Sequence, residues 1–110
     1  MVNSRAKGAR AEREIAKILR EEYGFENVRR GQQFSGIEGE DIVGLPMVHC
    51  EVKNVQKLNL RDAMAQSERD AKEDQVPIVI HKKDRKPWLV TMNLNDFVSM
   101  YRMWIKEWTE

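Results

Sequence analysis

The chain has 110 residues, of which 41% are hydrophobic and 34% charged, and its formal net charge is +1. This length and composition predict one soluble globular domain over residues 1–110. Because the net charge is close to zero, overall basic charge gives no reason to expect nucleic-acid binding. The single cysteine, Cys50, excludes an internal disulfide, and with only two histidines it argues against a Cys/His zinc site. No apolar run approaches the roughly 20 residues of a membrane span, and no apolar signal core opens the chain. We therefore expect no membrane association and a cytoplasmic location.

The first predicted element is a helix over residues 4–23, with Ser4 as its N-cap and Gly24 as its stop. Its apolar stripe consists of Ala11, Ile15, Ile18, Leu19 and Tyr23. A short strand near residues 25–29 and a glycine-rich loop over residues 31–40 are predicted to follow.

The remaining predicted elements are, in chain order, a hairpin of strands over 41–45 and 47–53, a helix over 60–74, strands over 76–81 and 88–92, and a helix from residue 95. The hairpin is expected to turn near Gly44, and Asn59 is expected to cap the second helix. The resulting order, α-β-β-β-α-β-β-α, predicts an α/β fold (α+β mixed sheet) in which a mixed sheet is flanked by helices.

The C-terminal helix is predicted to be strongly amphipathic. Its apolar residues, at i, i+3 and i+4 spacing, are Phe97, Met100, Tyr101, Trp104, Ile105 and Trp108. Such a stripe is typical of core packing. The alternative is a dimer interface, because Trp, Tyr and Met are enriched in interfaces.

Asp41 and the sequence Glu51-Val52-Lys53 carry the candidate chemistry. In a strand, Glu51 and Lys53 point to one face and Val52 to the other. The residues that alternate with Glu51 are apolar and are expected to face the core, which leaves Glu51 and Lys53 on the more open side. Carboxylates can hold a divalent cation, and a lysine beside them can steady a nucleophilic water or a phosphate oxygen. The pattern predicts metal-dependent phosphodiester hydrolysis, and an ordinary surface pair is the alternative.

The first helix supplies a third acid. At about 100° per residue, Glu12 lies about 60° from Ile15 at the centre of the apolar stripe, and Glu14 lies about 100° from it. Glu12 therefore borders the buried face and needs a metal, a lysine or a water network as its partner. Residues 1–30 also hold eight Lys/Arg against five acids, an excess that could meet phosphate or could be a solvated, salt-bridged helix face.

Together these segments resemble the PD-(D/E)XK nuclease superfamily, and in particular its small Holliday junction resolvases of archaeal and phage type. Residues 7–14 resemble the family's first helix, residues 25–30 resemble the strand that follows, and Asp41 with Glu51-Val52-Lys53 falls where the acidic and E-x-K signature falls. The resemblance covers about residues 5–92. The signature's proline is replaced by Glu40, so Glu40 and Asp41 are both candidate ligands, and Asp41 is favoured because the strand continues from it.

The resemblance implies a restriction-endonuclease-like core and a Mg²⁺-dependent endonuclease, with Mn²⁺ as a substitute, that cleaves branched DNA such as four-way junctions in DNA recombination and repair as a homodimer. The implied catalytic residues are Glu12, Asp41, Glu51 and Lys53, and the mechanism we hypothesise adds the carbonyl of Val52 to the three acids as metal ligands. The hypothesised contacts to the DNA backbone are Arg5, Lys7, Arg10, Arg29 and Arg30, with Gln66 as an accessory polar residue. The alternatives are a superfamily nuclease acting on flap, single-stranded or duplex DNA, and a non-catalytic DNA-binding module on the same fold.

Overall fold

The computed structural model describes residues 4–31 and 41–109, with backbone alone for Ser4 and Arg5. The elements are α1 (Ser4–Glu21), β1 (Arg29–Arg30), β2 (Ile42–Val43), β3 (Val48–Asn54), α2 (Leu60–Asp70), β4 (Val76–Lys82), β5 (Leu89–Met92) and α3 (Leu94–Thr109). The predicted order of helices and strands is confirmed. The predicted cap of Ser4, the loop beyond Gly31 and the candidate ligand Glu40 lie outside what the structure describes. Within the described ranges, no helix has both the length and the hydropathy to cross a bilayer.

The five strands form one mixed sheet in the order β1-β2-β3-β4-β5. Strands β3 and β4 run parallel, and the other three neighbouring pairs are antiparallel. A parallel pair needs a long crossover connection, and α2 supplies it between β3 and β4. The predicted hairpin of β2 and β3 is confirmed, with Ile42 opposite Cys50. The sheet therefore has its longest strands at its centre, where both faces can be covered.

Helices α1 and α2 cover opposite faces of this sheet. Buried residues of α1 pack with Cys50 and Val52 of β3, whereas Ala63 and Met64 of α2 pack with Val79 of β4. Alternate residues of a strand point to opposite faces. Helix α1 therefore packs on one set of alternating residues of β3 and β4, and α2 packs on the other set. The α1 side of the core consists of Ala11, Ile15, Ala16, Val28, Ile42, Cys50, Val52, Ile78 and Ile80.

Local sequence signals fix two of the helix ends. Gly24 has a φ of +79°, and the Phe25 N–H donates to the carbonyl of Leu19 at 3.0 Å, which closes the end of α1. At the start of α2, the Asn59 side chain accepts a hydrogen bond from the Asp62 N–H at 3.1 Å. Both sequence predictions, the glycine stop and the asparagine cap, are confirmed.

The turn between β2 and β3 depends on Gly44. Its φ is +88°, and a Cβ atom added there would overlap the carbonyl oxygen of Asn27. We expect Gly44→Ala to lower the free energy of unfolding by about 2 kcal/mol or more, because steric overlap with backbone adds to left-handed strain. Urea unfolding of the two proteins measures the difference. Gly8→Ala is the matched control, since a Cβ there meets nothing within 4 Å and should be neutral or slightly stabilising. A Gly44→Ala protein as stable as the parent would contradict this account.

Helix α3 does not join the core. None of residues 94–109 is buried, and the large apolar side chains of its stripe are exposed. The expectation that this stripe packs into the core is therefore wrong. The physical reason is that α1 and α2 already cover the two faces of the central strands, while α3 follows the edge strand β5.

Candidate active site

The strand register brings two of the predicted acids together. Ile42 of β2 pairs with Cys50 of β3, and the same antiparallel register continues to place Asp41 opposite Glu51. Asp41 is further anchored because its Oδ2 accepts a hydrogen bond from the Val52 N–H at 2.8 Å. The acid that precedes β2 is thus held against the E-x-K segment by backbone geometry.

A pocket of about 330 Å³ opens beside this pair, between α1, β3 and α2. Its lining residues are Lys7, Gly8, Glu12, Asp41, Val52, Lys53, Asn54, Val55 and Gln66. Six residues assigned to the site from sequence therefore meet around one cavity, although they come from four separate parts of the chain. Helix α2 contributes Gln66, the predicted accessory residue, from the far side of the pocket.

Glu51 lies behind this pocket and does not line it. Its residue is 1% exposed, and its Oε1 accepts a hydrogen bond from His49 Nε2 at 2.9 Å. The expectation that Glu51 occupies a more open side is wrong, because α2 packs on that face of β3. The Ser67 hydroxyl of α2 shows how close this packing is, since it donates to the carbonyl oxygens of His49 at 3.2 Å and Ile78 at 3.0 Å. Lys53, two residues further along the strand, is half-buried and does reach the cavity.

The three acids share one electrostatic environment. Burial, reinforced by the charge of Glu51, raises the pKa of Asp41 from 3.8 to about 6. Burial also raises the pKa of Glu51, against the opposing influence of Asp41 and Lys53. Burial is the main cause of the raised pKa of Glu12, to which Asp41 adds. Buried carboxylates held this close together hold excess negative potential, which a cation would relieve.

Glu12 has a partner that the sequence did not predict. Its Oε2 accepts a hydrogen bond from Arg30 Nε at 2.8 Å, and the Arg30 side chain is 41% exposed. Glu12 borders the core as expected, at 8% exposed, while Glu14 faces solvent. Among the described residues, the partner found is an arginine, which the expected metal, lysine or water network did not include. Arg30, predicted as a DNA contact, is engaged with this acid in the structure.

The other basic residues of the predicted DNA surface differ in their availability. Lys7 borders the pocket and forms an ion pair with Asp84 at 3.4 Å. Arg10 on α1 and Arg29 on β1 are exposed. The side chain of Arg5 lies outside the described part of the structure. Of these residues in the described ranges, only Lys7 lines the pocket.

The residues around the pocket fit a divalent metal ion of the hard, oxygen-binding kind. Carboxylates and a backbone carbonyl are the donors that Mg²⁺ prefers. Within the described ranges, the buried Oε2 of Glu51 accepts no hydrogen bond, so an oxygen atom of the acidic group still lacks a donor. A carboxylate oxygen of this kind can bind a cation, and the raised pKa values of the three acids also favour a cation site.

A second group of donor atoms lies behind the pocket. Atoms of His49, Glu51 and Asp70 lie within 4.8 Å of one another. This group differs from the set predicted from sequence, with which it shares only Glu51. None of its three residues is among those that line the pocket, and its His49 Nε2 is already bonded to Glu51.

Sequence reasoning missed Asn54. It follows Lys53 on β3, it lines the pocket, and its buried Oδ1 has no hydrogen-bond partner in the described part of the chain. Its place at the end of the strand that carries the E-x-K segment is the only sequence signal that could have identified it. The His49–Glu51 hydrogen bond follows from strand alternation, which places both side chains on one face, but its burial depends on α2.

The fold and the site together define a class of protein. A five-stranded mixed sheet flanked by helices, with acids and a lysine at one pocket, is consistent with a restriction-endonuclease-like core. The chain matches the family described as "Phage putative PDDEXK endonuclease" over residues 3–109, and it belongs to that family. Comparisons with curated proteins and with solved structures found no match. The resemblance to the PD-(D/E)XK superfamily is thus confirmed at the level of the superfamily.

Proposed function

We propose that this protein is a Mg²⁺-dependent, structure-selective endonuclease that cleaves phosphodiester bonds in branched DNA, with four-way junctions as its preferred substrate. The observation that carries the proposal is the convergence of Glu12, Asp41 and Lys53 on one pocket, with Glu51 directly behind Asp41. Membership of a PDDEXK endonuclease family supports the reaction class. The choice of branched DNA rests on the resemblance to junction resolvases.

The residues that would hold the metal are Glu12, Asp41, Glu51 and the carbonyl of Val52. A bound Mg²⁺ supplies charge stabilisation at the scissile phosphate and lowers the pKa of a bound water. The Val52 N–H bond to Asp41 holds one carboxylate oxygen in place and so orients the group. The His49 hydrogen bond orients Glu51 in the same way through Oε1, and Oε2 has no hydrogen-bond partner among the described residues.

Lys53 is the proposed catalytic lysine. Its positive charge acts on both Asp41 and Glu51, where it lowers the pKa of each carboxyl, so its ammonium group lies within their electrostatic reach. From this position, it would orient the attacking water or stabilise charge that develops on a phosphate oxygen. Gln66 and Asn54, on other parts of the pocket wall, would add neutral hydrogen bonds to the same phosphate or water.

DNA is proposed to contact Arg5, Lys7, Arg10 and Arg29 through its backbone as it approaches the pocket. Such contacts to the backbone supply affinity with little sequence reading, which suits a substrate recognised by shape. Arg30 would join them if it were released from its ion pair with Glu12. A homodimer would present two such pockets, one for each of two opposite strands of a junction.

A panel of end-labelled DNAs tests the substrate. We expect a synthetic four-way junction to be cleaved faster in Mg²⁺ than a flap, a single strand or a linear duplex of the same sequence. The matched control is the duplex formed from two of the junction's own strands, because it keeps the sequence and removes the branch. Faster cleavage of flaps, single strands or linear duplex than of the junction would replace branch resolution with another nuclease activity of the same site.

A further inference from the structure

Helix α3 presents a continuous aromatic face to solvent. The positions Leu94, Phe97, Tyr101, Trp104 and Trp108 alternate three- and four-residue steps, which is the a/d spacing of a two-helix interface. The four rings form a ladder, with centroids 5.7 Å apart for Phe97–Tyr101, 5.8 Å for Tyr101–Trp104 and 6.1 Å for Trp104–Trp108. A regular apolar seam of this kind is built to pack against another helix.

The size of the face matches what a stable dimer requires. The four rings are between 45% and 72% exposed. An aromatic side chain can bury about 150–250 Å², so these four leave roughly 450 Å² uncovered. Leu94, Met100 and Ile105 are also exposed, and they bring the face toward the ~800 Å² that each partner gives to a standard interface. Monomeric proteins rarely leave so large an apolar patch in water.

The charges of α3 favour a protein partner. The helix carries Asp96 and Glu107 against Arg102 and Lys106, so it lacks the basic excess that a surface for stacking DNA bases would need. At about 100° per residue, all four charged side chains lie about 100° or more from the centre of the aromatic face, so the face itself is uncharged. An uncharged apolar face of this kind fits a second copy of itself.

A groove at the base of α3 agrees with this arrangement. The groove has a volume of about 450 Å³ and lies between α2, β5 and the start of α3, with Leu60, Met64, Met92 and Leu94 among its lining residues. Leu94 and Trp108 are separated by about 20 Å along the helix. Antiparallel pairing centred near Tyr101 brings the partner's Trp108 to Leu94, at the edge of this groove.

We propose that the aromatic face of α3 binds the same face of a second copy of this chain, antiparallel, with the end of the partner helix against the groove between α2 and β5. The biological role of this dimer rests on the proposed function, because two pockets are needed to cut two strands. It also explains why α3 remains outside the core, because its apolar face is covered between chains rather than within one.

Light scattering coupled to size exclusion at micromolar concentration tests the surface. We expect the protein to have about twice the 12.9 kDa of one chain. Tyr101→Glu combined with Trp104→Glu should weaken association by at least about 30-fold, the effect of losing one interface hot spot, and give the mass of a single chain. Ser99→Glu, on the opposite face of α3, is the matched control and should remain a dimer. Circular dichroism checks that the sheet and the other helices are retained.

Two outcomes would overturn the inference: a parent protein with the mass of one chain, or a Tyr101→Glu/Trp104→Glu protein that remains a dimer. Neither would alter the chemistry of the pocket, so failure here and failure of the proposed function are distinguishable. Conversely, a parent protein that is dimeric but cleaves no DNA would contradict the proposed function and leave the inferred dimer surface unaffected.

Oxidative cross-linking tests the orientation. A Leu94→Cys pair would be about 20 Å apart in an antiparallel dimer and adjacent in a parallel one, whereas a Tyr101→Cys pair is near the centre in both. We expect Tyr101→Cys to cross-link and Leu94→Cys to stay reduced. The native Cys50 is fully buried and should not interfere. Efficient cross-linking through Leu94→Cys would contradict the antiparallel arrangement.

Discussion

Lys53→Ala is expected to lower the rate of Mg²⁺-dependent DNA cleavage by about 100-fold or more while leaving DNA affinity nearly unchanged. The reason is that Lys53 acts on the reacting phosphate or water, and removal of one such electrostatic group typically costs this much. Asp41→Asn should have an effect at least as large, because it removes a charged oxygen donor from the centre of the acidic group while keeping the hydrogen bond to Val52. Single-turnover cleavage of a labelled junction, with binding measured by gel shift in chelator, separates the two effects.

Lys57→Ala provides the matched control for Lys53. Lys57 is an exposed lysine four residues further along the chain and does not border the pocket. Its replacement should leave the cleavage rate within about twofold, since an exposed charge far from the reacting atoms contributes little. If Lys53→Ala cleaves at the parent rate, or if it loses binding in proportion to cleavage, the assignment of Lys53 as the catalytic lysine is wrong.

The second large effect concerns stability. We expect Asp41→Asn to unfold at higher denaturant than the parent in chelator at neutral pH. The pKa of Asp41 is raised to about 6 in the folded protein, chiefly by burial and then by Glu51, from 3.8 in the unfolded chain. The folded state therefore binds this proton more tightly than the unfolded state does. The stability that this group gives is fully present below pH 3.8 and is lost as the pH rises toward 6. A pKa difference of this size corresponds to about 3 kcal/mol, which Asn no longer loses.

Urea unfolding of parent and Asp41→Asn between pH 4 and pH 8 measures this difference. The gap between the two proteins should widen as the pH rises from 4 to 6 and then stay constant. Added Mg²⁺ or Mn²⁺ should stabilise the parent, by about 2.7 kcal/mol at a hundred times the dissociation constant, and should have little effect on the variant. An Asp41→Asn protein that is less stable than the parent at pH 7 in chelator would show that Asp41 serves the fold rather than a cation.

Local signals made much of the fold predictable. Gly24 and Asn59 end and begin helices through backbone geometry that depends on only a few neighbouring residues. Helical and strand periodicity placed Glu12 at the border of the core and put Glu51 and Lys53 on one face of β3. These features follow from spacing alone, so they were visible in the sequence. The placement of Asp41 beside Glu51 then follows from the register of a short hairpin.

Contacts between distant segments were not predictable. The pairing of Arg30 with Glu12 joins β1 to α1, and nothing in either segment specifies it. The burial of Glu51 is a similar case, since an alternating polar and apolar pattern is typical of a strand with one exposed face. In this chain α2 covers the polar face of β3, and a hydrogen bond between His49 and Glu51 pairs the two polar side chains that are buried there. The apolar stripe of α3 was visible, but periodicity does not show which surface covers it.

The most direct measurement is cleavage of a labelled four-way junction by the parent protein across a Mg²⁺ titration, with a chelator as the zero point. We predict no cleavage in chelator, paired cuts in opposite strands that appear as Mg²⁺ is added, and activity with Mn²⁺ as well. Stable binding of the junction without cleavage of any DNA in either metal would contradict the account and favour a DNA-binding module in which the acids are structural. Cleavage that persists unchanged in chelator would equally contradict a metal site formed by Glu12, Asp41 and Glu51.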